Sequence, residues 1–459
     1  MKRNGVLVAL VMIVAACPLW MSQVSAQSQQ IKTTFVHLGQ NVPGVLYEPT
    51  TPGEKSQIGI FVMHATGDYL TFSACTELSK RGYRVLCANN SSDKSQTFDD
   101  GILDRSILDA KLGVAYLRKY PGISKVVLFG HSGGATLMTG YQDIAENGVK
   151  VCQGPEKVFK CPDNLAGLPA ADGLMLVDAN FGQAAMALFS LDPATVSNEN
   201  GKTLNPDLDL FNPKNGFNAA GATYSQEFVK KFQQAEGKKE NDLIKEATTR
   251  WTAIKAGDGR YNDDEPFIIA GANSQGPNNR LFTEDIRLMS RTKKPWPLLK
   301  ADGSAEPQIV HSVRVPENLA SMTPSMARGA LKTTVRGFLD NFALRVTDDY
   351  GYDEDSVHGI DWTSSYSNNP GNVEGISVPL LIIGMTGHWE YAAAETIFEH
   401  ANKTADKTLA YVEGATHGYT TCTKCEKFPG QFGDTQKTTY DYVDGWLSKK
   451  GRFADQGKN

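Results

Sequence analysis

Apolar runs and amphipathic segments alternate along the two ends of the chain. Alternating polar and apolar positions at 33–38 and 43–47 predict an antiparallel edge hairpin. Continuous apolar runs, typical of strands buried on both faces of a parallel sheet, lie at 58–64, 83–88, 125–129, 173–178, 378–384 and 408–412. Helical patterns separate or follow these runs at 71–81, 102–120, 133–146, 392–401 and 435–449. The alternation predicts an α/β fold with a doubly wound, mostly parallel sheet.

The rhythm breaks in a stretch of about 200 residues before the last two apolar runs. Its helical patterns include Phe228 and Phe232, one turn apart, and a longer segment over 324–346, and short apolar runs lie at 266–270 and 308–315. We expect a large, mainly helical cap inserted over the sheet. A separate domain with its own function is the alternative.

The N-terminus has the pattern of a cleaved secretory signal. Lys2 and Arg3 precede an apolar run at 6–20, and small residues at 24–26 suit cleavage. We therefore predict a secreted or periplasmic protein. The predicted organisation is a signal peptide at 1–26, a core at 27–178 and 379–459, and a cap at 179–378.

The charge balance restricts the partners. Lys and Arg number 46 against 51 Asp and Glu, a net charge of −5, and loss of Lys2 and Arg3 with the signal gives 44 against 51, or −7. This balance disfavours nucleic acid and anionic membranes as partners. No later segment is apolar enough to predict stable membrane insertion.

Cysteine usage fits an oxidising compartment. Six cysteines remain after the signal: Cys75, Cys87, Cys152, Cys161, Cys422 and Cys425. An even number favours disulfides: Cys152 with Cys161 would close a short loop and Cys422 with Cys425 a tight one, and the sequence does not decide the connectivity. The second pair fits a redox motif or half of a zinc site less well, because neither the expected fold nor further ligands accompany it. Cys75 and Cys87 suit buried free thiols equally well.

The sequence Phe129-Gly130-His131-Ser132-Gly133-Gly134 joins a predicted strand to a predicted helix. This G-x-S-x-G resembles the nucleophile elbow of the α/β-hydrolases, in which small residues permit a tight turn that exposes the serine. The resemblance covers about 30–180 and 378–450. It implies that Ser132 is the nucleophile and that the N–H of Gly133 belongs to the oxyanion hole.

The same resemblance implies a histidine late in the chain, since the family order is serine, acid, histidine. His417 lies between glycines just after the last predicted strand, and we predict it to be the general base. The second oxyanion donor is expected after the run at 58–64, where His64-Ala65-Thr66-Gly67 is similar to the family's H-G motif. Ala65 and Thr66 both remain candidates.

The acid of the triad has two candidates. The usual site follows the run at 378–384, yet His388 stands where an aspartate is expected, with Glu390 two residues further on. Asp178 ends the strand after the elbow helix, where some lipases of this fold carry their acid. Either carboxylate is able to fix the imidazole tautomer and stabilise its charged form.

Within the family, ester cleavage through an acyl-serine intermediate is the commonest activity. We therefore expect a secreted serine hydrolase, of the esterase or lipase kind, that acts on a small-molecule or polymeric ester without a cofactor or metal. An amidase or peptidase using the same serine, and a non-catalytic binding protein, are the alternatives. Five aromatic residues hint at a bulky apolar substrate group: Trp251, Trp296, Trp362, Trp389 and Tyr391.

Overall fold

A computed structural model describes residues 30–94, 102–196, 202–272, 280–316 and 329–453. The predicted signal peptide lies outside these ranges. Among the helices in the described ranges, none combines the length and the apolar character needed to cross a membrane.

A ten-stranded sheet with the order β1-β2-β4-β3-β5-β6-β13-β14-β8-β9 organises the molecule. The strands in chain order are β1 Ile31–Gly39, β2 Val42–Pro49, β3 Ile58–His64, β4 Arg84–Asn89, β5 Lys125–His131, β6 Gly173–Val177, β7 Pro266–Ala270, β8 Arg291–Leu299, β9 Ala305–His311, β10 Ala330–Thr334, β11 Val346–Tyr352, β12 Val357–Ile360, β13 Leu380–Met385 and β14 Lys407–Val412. The predicted edge hairpin is β1 and β2, and the strands from β4 to β8 in the sheet run parallel. The predicted α/β fold with its doubly wound, mostly parallel sheet is confirmed.

Helices cover both faces of the sheet. They are α1 Ser73–Lys80, α2 Leu103–Lys119, α3 Gly133–Asn147, α4 Gln183–Leu188, α5 Gln226–Ala256, α6 Leu281–Glu284, α7 Val335–Gly337, α8 Asn369–Val373, α9 Tyr391–His400 and α10 Thr435–Leu447. Apolar residues of α2, α3 and α9 pack on one face, and those of α1 and α10 on the other. The central strands are therefore buried on both sides, as their continuous apolar runs predict.

Part of the region predicted as a cap belongs to the main sheet, and another part packs as a separate layer. Strand β8 pairs parallel with β14, and β9 pairs with β8, so two strands of this region extend the main sheet. Helix α5 packs with β7 and β10 in a third apolar cluster, outside the two that cover the sheet. The apolar run at 308–315 therefore belongs partly to the sheet rather than wholly to a cap.

The helix predicted over 324–346 is only partly correct. Residues 317–328 lie outside the described ranges, and Ala330–Thr334 is a strand paired with β7. A short helical segment follows, α7 and a π-helical turn at Phe338–Phe342. The strand's alternate side chains are buried, and β-branched Thr333 and Thr334 favour the extended conformation.

Three disulfides connect the six cysteines of the described residues. The two short loops closed by Cys152–Cys161 and Cys422–Cys425 are both present. Cys75 and Cys87 are also bonded, which corrects the free-thiol reading. Helix α1 packs beside β4, and this brings the two Cα atoms to 6.1 Å, within the range that a disulfide spans.

Candidate active site

Ser132 occupies a strained turn between β5 and α3. Its backbone has φ 52° and ψ −130°, a conformation uncommon for a residue with a side chain. The glycines on either side permit the turn: a Cβ on Gly130 would lie 2.7 Å from the Cα of Ala135, and one on Gly134 would lie 2.8 Å from the carbonyl oxygen of Met63. The sequence thus places Ser132 above the carboxyl end of the sheet, directly before the helix N-terminus.

The loop after β14 brings His417 to this turn. The ring of His131, the neighbour of Ser132, lies 4.3 Å from the His417 ring, centroid to centroid. The Nε2–H of His131 donates to the carbonyl oxygen of His417 at 2.8 Å, and its Nδ1 lies 2.5 Å from the Tyr69 hydroxyl, which donates to it. These contacts tie the serine turn to the histidine loop.

Asp178 is the closest carboxylate to His417. It follows β6 with φ 49°, and its Oδ2 accepts a hydrogen bond from the His417 Nδ1–H at 2.7 Å. Its Oδ1 accepts from the backbone N–H of Met385 at 3.1 Å. Burial acts to raise the pKa of Asp178, but hydrogen bonds from His388 and His417 outweigh it and hold the pKa at about 2. Asp178 is therefore ionised at neutral pH.

Glu390 approaches the same imidazole from the start of α9, but less closely. Its Oε2 lies 3.6 Å from His417 Nδ1 and has no hydrogen-bond partner among the described residues. Burial, together with the charge of Asp178, raises the pKa of Glu390 to about 7, although His417 opposes the shift. Both predicted acids thus lie beside His417, and only Asp178 hydrogen-bonds to it.

His388 occupies the loop position where the sequence leads one to expect an aspartate. Its Nδ1 lies 3.3 Å from Asp178 Oδ2, and its ring stacks on His417 with centroids 4.4 Å apart. A histidine in the usual acid loop therefore contacts an acid supplied by another strand. The sequence position of His388 was visible, whereas its contact with Asp178 depends on the pairing of β6 with β13.

The same four side chains are the residues best able to hold a metal ion in the described part of the chain. One ligand atom from each of Asp178, His388, Glu390 and His417 lies within 4.8 Å of the others. The two imidazoles are stacked at an interplanar angle of 29°, and His417 Nδ1 is hydrogen-bonded to Asp178 at 2.7 Å. The described contacts therefore join these side chains to one another.

A small pocket opens beside the serine turn. Its cavity measures about 40 Å³. It is lined by His64, Thr66, Ser132, Gly133, Asn180, Gln183, Met186 and Phe342. None of the five aromatic residues considered as substrate contacts belongs to this described lining: Trp251 packs against Phe159, for example, and Trp296 against Phe398.

The loop after β3 distinguishes the two candidates for the second oxyanion donor. The backbone N–H of Thr66 donates to His64 Nδ1 at 3.1 Å, and that of Gly67 donates to the same atom at 2.6 Å. The carbonyl oxygen of Ala65 accepts from the Asn90 side chain at 2.6 Å, which fixes the orientation of this loop. The Thr66 N–H is therefore already engaged, and the Ala65 N–H is the better candidate.

Comparisons with known proteins give only distant likenesses. No family model matches the sequence, and no curated protein sequence matches it. The siderophore hydrolase EstB from Aspergillus fumigatus superposes with a TM-score of 0.41 and 11% identity, covering 91% of this chain and 98% of its own. Est1E from Butyrivibrio proteoclasticus gives 0.38 and 10%, covering 90% and 97%. The Pyrococcus horikoshii acylaminoacyl peptidase gives 0.36 and 9%, covering 95% and 44%.

Proposed function

We propose that this chain, which combines the sheet and the serine turn of an α/β-hydrolase, is a serine hydrolase that cleaves carboxylic esters through an acyl-serine intermediate. The observation that carries the proposal is the hydrogen bond of 2.7 Å between His417 and Asp178 beside the strained Ser132 turn. A buried, ionised carboxylate on one nitrogen of an imidazole leaves the other nitrogen to act as a base.

In the proposed reaction, each residue has one role. His417 Nε2 takes the proton of the Ser132 hydroxyl as its oxygen attacks the ester carbonyl, and Asp178 stabilises the resulting imidazolium. The N–H groups of Gly133 and Ala65 hold the developing oxyanion. When the intermediate collapses, the alcohol leaves with the proton from His417, and a water molecule then releases the acid by the same steps in reverse.

The pocket supports a short acyl group as the part of the substrate next to Ser132. Met186 and Phe342 line the small cavity together with polar Asn180 and Gln183. Sites that bind large ligands usually measure several hundred Å³. We therefore expect acetyl and propionyl esters to be better substrates than long-chain esters.

The proposal includes an extracytoplasmic location. Three disulfides form in the described chain, and disulfides persist in oxidising compartments. The basic and apolar N-terminal sequence provides a route of export.

Labelling by a fluorophosphonate tests the proposal directly. We expect the mature protein to be labelled at Ser132, Ser132→Ala to remain unlabelled, and the exposed-serine control Ser124→Ala to be labelled as wild type. Turnover of nitrophenyl acetate and nitrophenyl decanoate then measures acyl preference, and matched anilides measure amide cleavage. A wild-type protein that neither labels nor hydrolyses an ester would overturn the proposed function, and turnover of unactivated amides without turnover of the matched alkyl esters would replace esterase by amidase.

A further inference from the structure

His64 lies at the pocket beside the serine turn. It ends β3, is 9% exposed, and lines the cavity together with Ser132 and Gly133. Its Nε2 is 3.3 Å from the position that a Cβ on Gly133 would take, so the imidazole lies directly against the peptide that follows the serine. A polar atom of His64 is thus within the space where an ester carbonyl would enter.

The contacts of the ring determine which nitrogen carries the proton. Nδ1 accepts from two backbone N–H groups, those of Thr66 and Gly67, and an atom that accepts from both has no proton of its own. The neutral imidazole therefore carries its proton on Nε2. No described residue accepts a hydrogen bond from this Nε2–H. The Tyr69 ring stacks on His64 at 4.5 Å and 13°, which fixes the ring plane.

The ring also stays neutral under ordinary conditions. Burial, followed by the charges of His417 and Lys94, lowers the pKa of His64 to about 3. His64 is consequently a fixed N–H donor that neither gains a proton at neutral pH nor has a free lone pair to act as a base.

We infer that His64 is a catalytic residue whose Nε2–H donates a hydrogen bond to the oxyanion of the tetrahedral intermediate, beside the N–H groups of Gly133 and Ala65. This inference rests on the proposed function. A donor oriented in advance within a small, largely buried pocket stabilises charge that develops only during the reaction, so its effect falls on kcat rather than on KM.

Two substitutions separate the donor from a structural role. The side-chain oxygen of His64→Asn takes the place of Nδ1 and keeps the acceptor for Thr66 and Gly67, but it removes the Nε2 donor. The amide of His64→Gln reaches the place of Nε2 and restores a donor, but it removes the Nδ1 acceptor. We expect kcat for nitrophenyl acetate to fall by about 10² to 10³ in His64→Asn with KM nearly unchanged, and His64→Gln to be the more active of the two.

The order of the two variants decides the question. If His64 only anchors the loop, His64→Asn retains kcat within about threefold of wild type and His64→Gln is the inactive variant, which would overturn the inference. Thermal unfolding of both variants shows whether either has lost its fold. The values of kcat are then compared between variants of similar stability. Failure of the wild type to label with a fluorophosphonate would instead overturn the proposed function, so the two failures are distinct.

Discussion

Two buried carboxylates, Asp178 and Glu390, lie near the same atom, Nδ1 of His417. Their environments differ in the hydrogen bonds that each carboxylate accepts. Asp178 is 1% exposed and Glu390 2%, so burial does not distinguish them. Asp178 accepts hydrogen bonds from the Met385 N–H and from His417 and has His388 Nδ1 at 3.3 Å, whereas Glu390 has a hydrogen bond with the Asn180 side chain and its Oε2 has no partner among the described residues. The pKa of Asp178 is held at about 2 and that of Glu390 rises to about 7, because hydrogen bonds to the ionised form decide the sign of the shift.

Under the proposed function, this difference gives the two groups separate roles. Asp178 is ionised at neutral pH and hydrogen-bonds to the His417 imidazole, as the proposed acid of the triad must. Glu390 carries its proton below pH 7 and is not hydrogen-bonded to His417. The proposed triad therefore needs only one of the two carboxylates.

Replacing Asp178 gives the largest expected effect. In Asp178→Asn the amide no longer fixes the His417 tautomer or stabilises its positive charge, and we expect kcat to fall by about 10³ to 10⁴. Steady-state hydrolysis of nitrophenyl acetate measures the loss.

The matched control is Asp143→Asn, since Asp143 is a buried carboxyl on α3 that has no contact with His417. Burial raises the pKa of Asp143 to about 7, so at pH 6 the carboxyl is mostly protonated and the substitution changes little charge. Activity of Asp178→Asn above about a tenth of wild type would transfer the role of the acid to Glu390.

Replacing His388 tests how far its hydrogen bond keeps Asp178 ionised. His388→Phe retains a ring that stacks on His417 but removes the donor at 3.3 Å, and His388→Asn retains a donor without the ring. We expect His388→Phe to lose about three- to tenfold in kcat/KM at pH 6, and His388→Asn to lose less, in line with one hydrogen bond to a charged group.

Titration of the Asp178 carboxyl, followed by carbon-13 NMR, supplies the second readout for His388. Loss of the contact with His388 allows the pKa of Asp178 to rise above about 2 in His388→Phe, and less in His388→Asn. An unchanged pKa of Asp178 in His388→Phe would show that the stacking on His417, rather than the hydrogen bond, is the contribution of His388.

The sequence was informative where local patterns carry the structure. The apolar run at 58–64 coincides with β3, and small residues around Ser132 predict the tight turn, because both depend on neighbouring residues alone. Placing a histidine after the last core strand likewise needs only the order of elements. The roles of Ser132, Asp178 and His417 remain predictions until the variants are measured.

Long-range pairing explains what the sequence did not decide. Whether Asp178 or Glu390 hydrogen-bonds to His417 depends on the register of β6, β13 and β14. No local sequence pattern contains this register. For the same reason, the sequence did not predict that β8 pairs with β14. An apolar strand inside an insertion has the same pattern whether it pairs with the main sheet or with another strand of the insertion. The Nδ1 contacts of His64 with two N–H groups are local, and the H-G-like motif was the signal that pointed to that loop.

The smallest effect on turnover is expected for Glu390→Gln. The main consequence of this substitution is a pH-dependent change in the stability of the fold. The pKa of Glu390 is raised from 4.5 to about 7 in the folded protein, so the stabilisation linked to its proton is complete below pH 4.5 and is lost as the pH rises through 7. Glutamine carries no charge at any pH and avoids this loss. We expect the variant to be more stable than wild type at pH 8, by about 3 kcal/mol at most, with the advantage shrinking towards pH 5.

Chemical denaturation at pH 5 and pH 8 measures this difference, with the exposed-glutamate variant Glu227→Gln as the control that shows no pH-dependent gain. Turnover of Glu390→Gln at pH 6 should stay within about threefold of wild type, because Glu390 is already neutral there. If the stability difference is the same at both pH values, Glu390 has the same charge at pH 5 and at pH 8. Asp178 and Glu390 would then differ only in their distance to His417, and not in their charge. A loss of turnover as large as that of Asp178→Asn would remove the contrast, since both carboxylates would then be needed to orient one imidazole.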